Sequence, residues 1–436
     1  MTSAGEEPGG EVERLPFRKV TVIGFGRTGR AAAAELVRRG VEVFVSEARA
    51  LRLRERSLLA GYGVRWEEEG HSEAALDAEL LVLSPGVPPS GRVVNRARAR
   101  GIPVWSELEL AYRMCSPDRI VAITGTNGKS TTTALVGSIL RGAGMCPVVA
   151  GNIGRPAVRS VERAEGRPWV LEVSSYQLEL VSQFRPHVAV WLNFSPDHLL
   201  RHGSLAGYFA AKARVFSQQE SCDVAVLPAE LLVRLAPKAR TVDPGSEELP
   251  PGWGKGFAEH QLVNLRAAWA AAAAAYPQIR GEPPPWDSVA PALCQPHRLE
   301  TVGYWHGIPF VNDSKATNPC ATVYALNGFK RPVVLILGGR PKRTGYDALQ
   351  TPLRDRVRAC VLLGEARSMF ASCLESWDVP YVTADGTEQA LASAYHAARP
   401  GDVVLLSPGC ASFDMFEDYA DRGRAFRRAF YRLREA

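Results

Sequence analysis

The chain has little that would carry it into or across a membrane. Its first twenty residues are acidic and glycine-rich and hold no apolar h-region, which predicts no secretory signal and a cytoplasmic protein. No apolar run approaches the roughly 20 residues that span a bilayer. The longest, Ala267 to Tyr276, is almost pure alanine and reads as a helix. Eight cysteines are scattered from 115 to 410 without a Cys-x-x-Cys pair. That spacing excludes the usual zinc frameworks, and a chain of 436 residues needs no disulfide staples, so reduced thiols are expected. Despite a formal charge of +6, the basic residues form no block and do not alternate with aromatics, which excludes nucleic acid as the expected partner. Lysine is scarce, at 8 of 52 basic residues. Where arginine is the default cation, a lysine inside a motif points to a task that needs a compact charge or a removable proton.

What the sequence holds is ample material for several cores. A hydrophobic content of 46% with 22% charged residues is that of a globular protein, and the length predicts two or three domains. The first segment alternates strand runs (19–23, 41–45, 63–66, 79–83 and 102–105) with helical stretches between the first four, which implies a parallel sheet with helices on both faces. The second has apolar strands at 119–124, 169–173, 188–192 and 224–227. A Pro/Gly-rich stretch at 241–256 then reads as a surface excursion, and an alanine-rich helix follows Asn264. The third shows buried-strand runs at 333–337, 359–363, 381–383 and 403–406. The expected organisation is α/β throughout: a Rossmann-like domain at 1–107, a central P-loop-type domain with a mostly parallel sheet at 108–297, and a second Rossmann-like domain at 298–436.

Two loops compete for a phosphate. Gly24-Phe25-Gly26-Arg27-Thr28-Gly29 follows a strand and opens a helix, and Glu47 ends the next strand. Alone, this favours a nicotinamide or flavin site, with the acidic residue on a ribose. Nothing downstream resembles a hydride-transfer constellation, so an NAD-dependent dehydrogenase is the weaker reading. The second loop, Gly125-Thr126-Asn127-Gly128-Lys129-Ser130-Thr131, also joins a strand to a helix, so backbone N–H groups and Lys129 converge on phosphates and the Ser130 hydroxyl is placed for Mg²⁺. A standard Walker A pattern would have glycine at 123, where Ile123 stands.

From here a resemblance becomes specific. GTNGKST is followed by GNIG (151–154), LEVSSYQLE (171–179), NFSPDH (193–198), His297-Arg298, NDSKATNP (312–319), LGG with Lys342 after it, and SPGCASFDMFEDY (407–419). The set resembles the Mur ligase family of ATP-dependent amide-forming enzymes, in order and through all three segments. SKATN with CASFD points, within that family, to the addition of D-glutamate to UDP-N-acetylmuramoyl-L-alanine in peptidoglycan precursor synthesis. The Asp-Asn-Pro-Arg string of the diamino-acid enzyme is absent. Sibling ligases and folylpolyglutamate-type ligases are the nearest alternatives. The resemblance implies phosphorylation of the substrate carboxylate by ATP and displacement of phosphate by the amine.

It also implies the site. Lys129, Glu172, His198, Lys212 and Asn152 would be catalytic. ATP would lie against residues 125–131, Gln261, Asn264, Arg298 and Asp313. Two Mg²⁺ ions would be held by Ser130 and Glu172, and by His198 and Lys212, the lysine being a carbamate formed from CO₂. The UDP-sugar would take Gly26, Arg27, Thr28, Gly29, Glu47, Ser84, Pro85, Gly86, Asn152, Ser174 and Gln177. D-glutamate would take Lys315, Thr317, Lys342, Ser412, Phe413 and Tyr419, with Arg298 beside them. A monomer without a membrane span is implied. Three positions depart from the pattern: Gln261 stands where asparagine is usual, Leu200 where aspartate is common after DHL, and Arg340-Pro341 where an Asp-Gly-type pair follows LGG.

Overall fold

A computed structural model describes residues 15–255, 257, 259–342 and 345–435, so the acidic leader read above lies outside the described residues up to position 14. Strands β1 (Lys19–Ile23), β2 (Glu42–Ser46), β3 (Arg65–Glu67), β4 (Leu80–Leu83) and β5 (Val104–Ser106) form the first sheet, in the order β3-β2-β1-β4-β5 and all parallel. Helices α1 (Arg27–Arg38), α2 (Leu53–Gly61) and α3 (Arg92–Ala99) connect them. The third connection is not the helix expected. It is one 3₁₀ turn, Glu73–Leu76, whose start is capped by Ser72 Oγ accepting from the Ala74 N–H at 3.1 Å. Few residues separate Glu67 from Leu80, and a short capped turn closes that gap.

A short helix, α4 (Glu107–Tyr112), leads into the second sheet and is keyed to it by two buried carboxylates. Glu109 accepts from the backbone N–H groups of Ser182, Gln183 and Phe184. Glu107 is entirely buried, with Oε1 accepting from the Val158 N–H at 2.7 Å and Oε2 without a partner among the described residues. Burial pushes its carboxyl up to about 7 from an ordinary 4.5. The neutral form is therefore favoured by the fold. Its contribution to stability is complete below the unfolded value and is lost as pH rises through about 7. Between about pH 5 and about pH 8 the melting temperature of the native chain is expected to fall relative to that of Glu107→Gln, on the order of 3 kcal/mol in stability. Thermal scans of both proteins across pH check this, and a difference that does not vary with pH contradicts it.

The second sheet has the order β11-β10-β9-β6-β8-β7 and is also parallel. Its strands are β6 (Arg119–Thr124), β7 (Val148–Gly151), β8 (Pro168–Glu172), β9 (Val188–Trp191), β10 (Val224–Val226) and β11 (Arg240–Val242). The two edges, β7 and β11, were absent from the sequence expectation because each is short. Helix α5 (Lys129–Gly142) packs beside the helix Glu259–Ala275, whose alanines from 267 to 273 are all buried except Ala274 just beyond. A helix apolar on every side belongs inside a core. The Pro/Gly-rich stretch runs along the surface, with most of its described residues exposed or half-buried, and is anchored by a few buried ones. Pro244, Pro250 and Trp253 are buried, and the Trp253 ring lies 5.4 Å from Trp269 and 5.5 Å from Trp286. Three indoles bury more apolar area than the local composition suggests.

The third sheet is β12 (Glu300–Trp305), β13 (Ile308–Asn312), β14 (Val333–Gly338), β15 (Val357–Leu363), β16 (Tyr381–Thr383) and β17 (Val403–Gly409), in the order β12-β13-β17-β14-β15-β16. It is parallel except for the β12–β13 hairpin, which turns at His306 and Gly307, both at positive φ, as a two-residue turn requires. The hairpin adds an antiparallel edge that the buried-strand signal did not reveal, since β12 is only half-buried. It also delivers Asn312 and the loop after it to the central domain, where Lys315 reaches Ser130.

Candidate active site

The site begins where β6 ends. Gly125 and Gly128 take φ of +149° and +85°, which L side chains rarely adopt, and a Cβ on Gly128 would run into the Asn264 side chain. Asn193 clamps the loop, its Oδ1 accepting from the Asn127 N–H at 2.9 Å while its Nδ2 donates to the Asn127 carbonyl at 3.1 Å. Lys129 opens α5 and folds back, donating to the carbonyls of Gly125 and Thr126 at 2.9 Å each. Burial lowers its pKa, opposed by the carboxylates of Glu172 and Asp197.

Glu172, at the end of β8, is the hub. Its Oε2 accepts from Ser130 Oγ at 2.6 Å and its Oε1 from Asn152 Nδ2 at 2.9 Å. Lys315, arriving from the third domain, donates to Ser130 Oγ at 2.6 Å, and burial pushes its amine down to about 8. Its ammonium thus sits beside the hydroxyl and carboxylate expected to hold a metal ion, and Tyr419 lies 5.5 Å beneath it. The sequence assigned Lys315 to D-glutamate; here it also touches the phosphate loop.

The loop after β9 carries the second cluster. His198 has φ of +56°, and its Nδ1 pairs with Tyr176 Oη at 3.1 Å. Burial drives its imidazole down to about 3, against the pull of Asp197, so the ring is neutral. Lys212 lies behind the loop, 1% exposed, donating to the Gly125 carbonyl at 2.7 Å and to Thr124 Oγ1 at 3.4 Å. Burial holds its amine well below the usual lysine range, and Lys129 pushes the same way. No acidic side chain pairs with it directly among the described residues. Nor do three His, Cys, Asp or Glu side chains converge among them as a preformed metal cluster.

About half of the residues expected from the sequence, those assigned to phosphate, metal and D-glutamate above all, meet in one cavity of about 580 Å³. From the central domain come Thr126 to Ser130, Asn152, Glu172 and His198; from the third come Arg298, Lys315, Thr317, Lys342, Ser412, Phe413 and Tyr419. Arg340, Pro341 and Leu200, the positions that depart from the pattern, line it too. An adjoining smaller cavity gathers Asn127, Thr131, Gln261, Asn264, Arg298 and Asp313. Two of its buried polar atoms, Arg298 Nε and Thr131 Oγ1, have no partner among the described residues. Burial raises the Asp313 carboxyl to about 6, while Ser407 Oγ donates to its Oδ2 at 2.8 Å.

The residues assigned to the UDP-sugar stand apart from both cavities, except Asn152. Glu47 accepts from the N–H of Phe25 at 2.6 Å and of Arg49 at 3.2 Å, and Ser84 Oγ donates to the Gly24 carbonyl at 2.7 Å. These two side chains shape the first glycine loop from within. A Cβ on Gly29 would come within 2.6 Å of Ser84 Oγ, so that position admits only glycine. Gly26, Arg27 and Gly86 are exposed, while Thr28 and Pro85 are half-buried. Ser174 and Gln177 form a capping box, each satisfying the other's backbone N–H.

Four residues of the site were not singled out beforehand. Asp197 is buried and accepts from Lys342 Nζ at 2.8 Å, from Asn318 Nδ2 at 3.1 Å and from the His198 N–H at 2.7 Å. Arg201 spans Glu179 at 2.6 Å and the Val87 carbonyl at 2.8 Å, with Tyr176 under its guanidinium, and so ties the His198 loop to the first domain. Asp197 and Asn318 lay inside quoted motifs, NFSPDH and NDSKATNP, and that adjacency was the available signal. Tyr176 lay likewise inside LEVSSYQLE, and Arg201 carried no such signal.

Fold and site together define a class: a three-domain α/β protein whose phosphate-binding loop faces a cavity completed by lysines from a second domain. Residues 19–93 match the MurD N-terminal domain, 123–242 the Mur ligase middle domain, and 297–410 the domain described as Mur ligase, glutamate ligase domain. The chain belongs to the Mur ligase family. It is 42% identical to UDP-N-acetylmuramoylalanine--D-glutamate ligase of Salinibacter ruber, over 94% of this chain and 97% of that one. Identity to the protein of the same name from Koribacter versatilis is 38%, over 96% and 98%. Among solved structures, the MurF ligase of Thermotoga maritima in complex with ADP shares the fold, with a TM-score of 0.57, 17% identity and 98% coverage of each chain.

Proposed function

We propose that this chain joins D-glutamate to UDP-N-acetylmuramoyl-L-alanine, converting ATP to ADP and phosphate, in the making of peptidoglycan precursors. The relatives named above support the substrates. The observation that carries the site is the meeting of two domains at the phosphate loop, with Lys315 on Ser130 and Lys342 on Asp197. Taken with the three separate sheets, we keep domains at 1–107, 108–297 and 298–436, and read the protein as a cytoplasmic monomer.

The chemistry follows from charge. A carboxylate is a poor acyl donor, so its oxygen attacks the γ-phosphorus of ATP, ADP departs, and an acyl phosphate forms. The amine of D-glutamate then attacks the acyl carbon, phosphate leaves, and the nitrogen gives up a proton. The first step gathers several anions, and fixed cations lower its barrier. Lys129 would hold the β- and γ-phosphates, with the N–H groups of residues 125–131 around them. Arg298, with its unpartnered Nε, and Asp313 would flank the nucleotide, and Gln261 and Asn264 the base. The first glycine loop would hold the uridine diphosphate. Lys315, Thr317, Lys342, Ser412, Phe413 and Tyr419 would take the two carboxylates of D-glutamate and orient its amine.

The donor set suits a hard cation. Glu172 and Ser130 present a carboxylate and a hydroxyl 2.6 Å apart, and His198 offers a neutral ring nitrogen. Ser130 and Glu172 would hold one Mg²⁺, and His198 with carbamylated Lys212 a second. Magnesium bound there supplies charge stabilisation for the transferring phosphoryl group. A lysine carbamate forms only from the neutral amine, and the burial of Lys212 favours that form.

The test is phosphate release from ATP with the UDP-sugar acceptor and one amino acid at a time. Release is expected with D-glutamate and not with L-alanine or diaminopimelate. Release with either of the latter at comparable rate, or none with D-glutamate, refutes the assignment.

A further inference from the structure

A cavity of about 740 Å³ opens at the other end of the central sheet from the phosphate loop. Its floor is the N-terminal edge of the strands: Ile120 in β6, His187 before β9 and Asp223 before β10. Trp105, from the first domain, forms a wall, so the cavity lies at the junction of two domains. None of its lining belongs to the catalytic machinery described above.

Two donors in the lining are unmatched. The exposed Arg119 side chain forms no hydrogen bond or ion pair among the described residues and reaches the cavity, whereas Arg113 and Arg185 are paired with carboxylates. The His187 Nδ1 accepts from the Ile120 N–H at 3.1 Å, which leaves the ring proton on Nε2 with no acceptor among them. Burial lowers its pKa, and Arg119 adds to the effect, so the ring is a neutral donor. The one carboxylate in the lining, Asp223, is already engaged by Arg185 Nε at 2.7 Å and the Glu220 N–H at 2.8 Å. Beside this cationic end lies an apolar one, formed by Tyr112 and Trp105, with the Arg113 guanidinium 4.1 Å over the Trp105 ring. Positive donors at one end and flat aromatic walls at the other select a particular chemistry.

We propose that this junction cavity is a second ligand site, for a small planar organic anion. Its anionic head lies against Arg119 and His187, and its flat body lies along Tyr112 and the planar Arg113 guanidinium that covers Trp105. The probe is 8-anilinonaphthalene-1-sulfonate, which combines a fixed anion with flat rings. Cys222, exposed in the lining, reports occupancy, and Cys146 and Cys294, exposed elsewhere, serve as internal controls.

Alkylation by N-ethylmaleimide is followed peptide by peptide in the full chain. Saturating probe is expected to slow alkylation of Cys222 at least about fivefold and to leave Cys146 and Cys294 unchanged. Arg119→Glu should weaken the probe's half-effect concentration about tenfold or more and Arg119→Gln by less, with ligase activity of both unchanged. Equal slowing at all three cysteines, no slowing at Cys222, or protection retained in Arg119→Glu overturns the proposal. So does equal protection by inorganic phosphate, which would reduce the site to an anion patch without a planar component.

Discussion

Lys212→Ala loses ligase activity by about 10³-fold, and acetate or propionate restores part of it. The argument rests on where the amine lies. It is 1% exposed, has no acidic partner, and donates to the Gly125 carbonyl at 2.7 Å behind the phosphate loop. A permanent ammonium there is disfavoured by burial and by the nearby charge of Lys129. A neutral amine there would take up CO₂ and become a carboxylate on a long stem, as proposed above. In the alanine variant the stem is gone and leaves a space at the same depth, into which a short carboxylic acid can bring an equivalent carboxylate. Arginine cannot be carbamylated, so Lys212→Arg is expected to be inactive and not rescued. Steady-state phosphate release with and without the added acids checks this. A Lys212→Ala enzyme that no carboxylic acid revives speaks against the carbamate.

Lys129→Ala lowers kcat/KM for ATP-dependent phosphate release by about 10²–10³-fold, while the fold persists. Among the described residues the Lys129 ammonium makes two hydrogen bonds, both to carbonyls of its own loop, and burial already opposes its charge. Removing it therefore releases a desolvated cation, and the melting temperature should shift by no more than a few degrees. Lys129→Arg should not recover activity, because a planar fork does not occupy the place of a point charge between two carbonyls 2.9 Å away. Parallel kinetics and thermal melts separate the two effects. Full activity in Lys129→Ala removes the ATP assignment from this loop.

Much of this architecture could be read along the chain. The runs of valine, leucine and isoleucine that became β1, β4, β6, β8, β9, β14 and β17 are buried on both faces of parallel sheets, and such strands show as continuous apolar stretches. Strand β11 and the half-buried β12 lack that signature because much of their surface faces solvent, and β7, although largely buried, offers only two valines before Ala150 and Gly151. Gly24, Gly125 and Gly128 were legible as loop residues because their positive φ is a local demand that glycine meets alone. Lys129, Ser130 and Glu172 were legible because strand–loop–helix spacing brings them to the same strand ends.

The amino-acid order by itself determined the three α/β segments, both glycine loops and the lysines that merit attention. These are properties of neighbouring residues: periodicity, backbone conformation and motif spacing. Tertiary structure alone decided which of them meet. It set Lys315 on Ser130 across 185 positions, gave Asp197 to Lys342 and Asn318, and sealed Lys212 from water. It also anchored the surface-running Pro/Gly-rich stretch through Trp253, and used Glu47 and Ser84 to shape a loop from within. Burial and the pairing of distant side chains depend on the packing of all three sheets at once, and no window of sequence contains that sum.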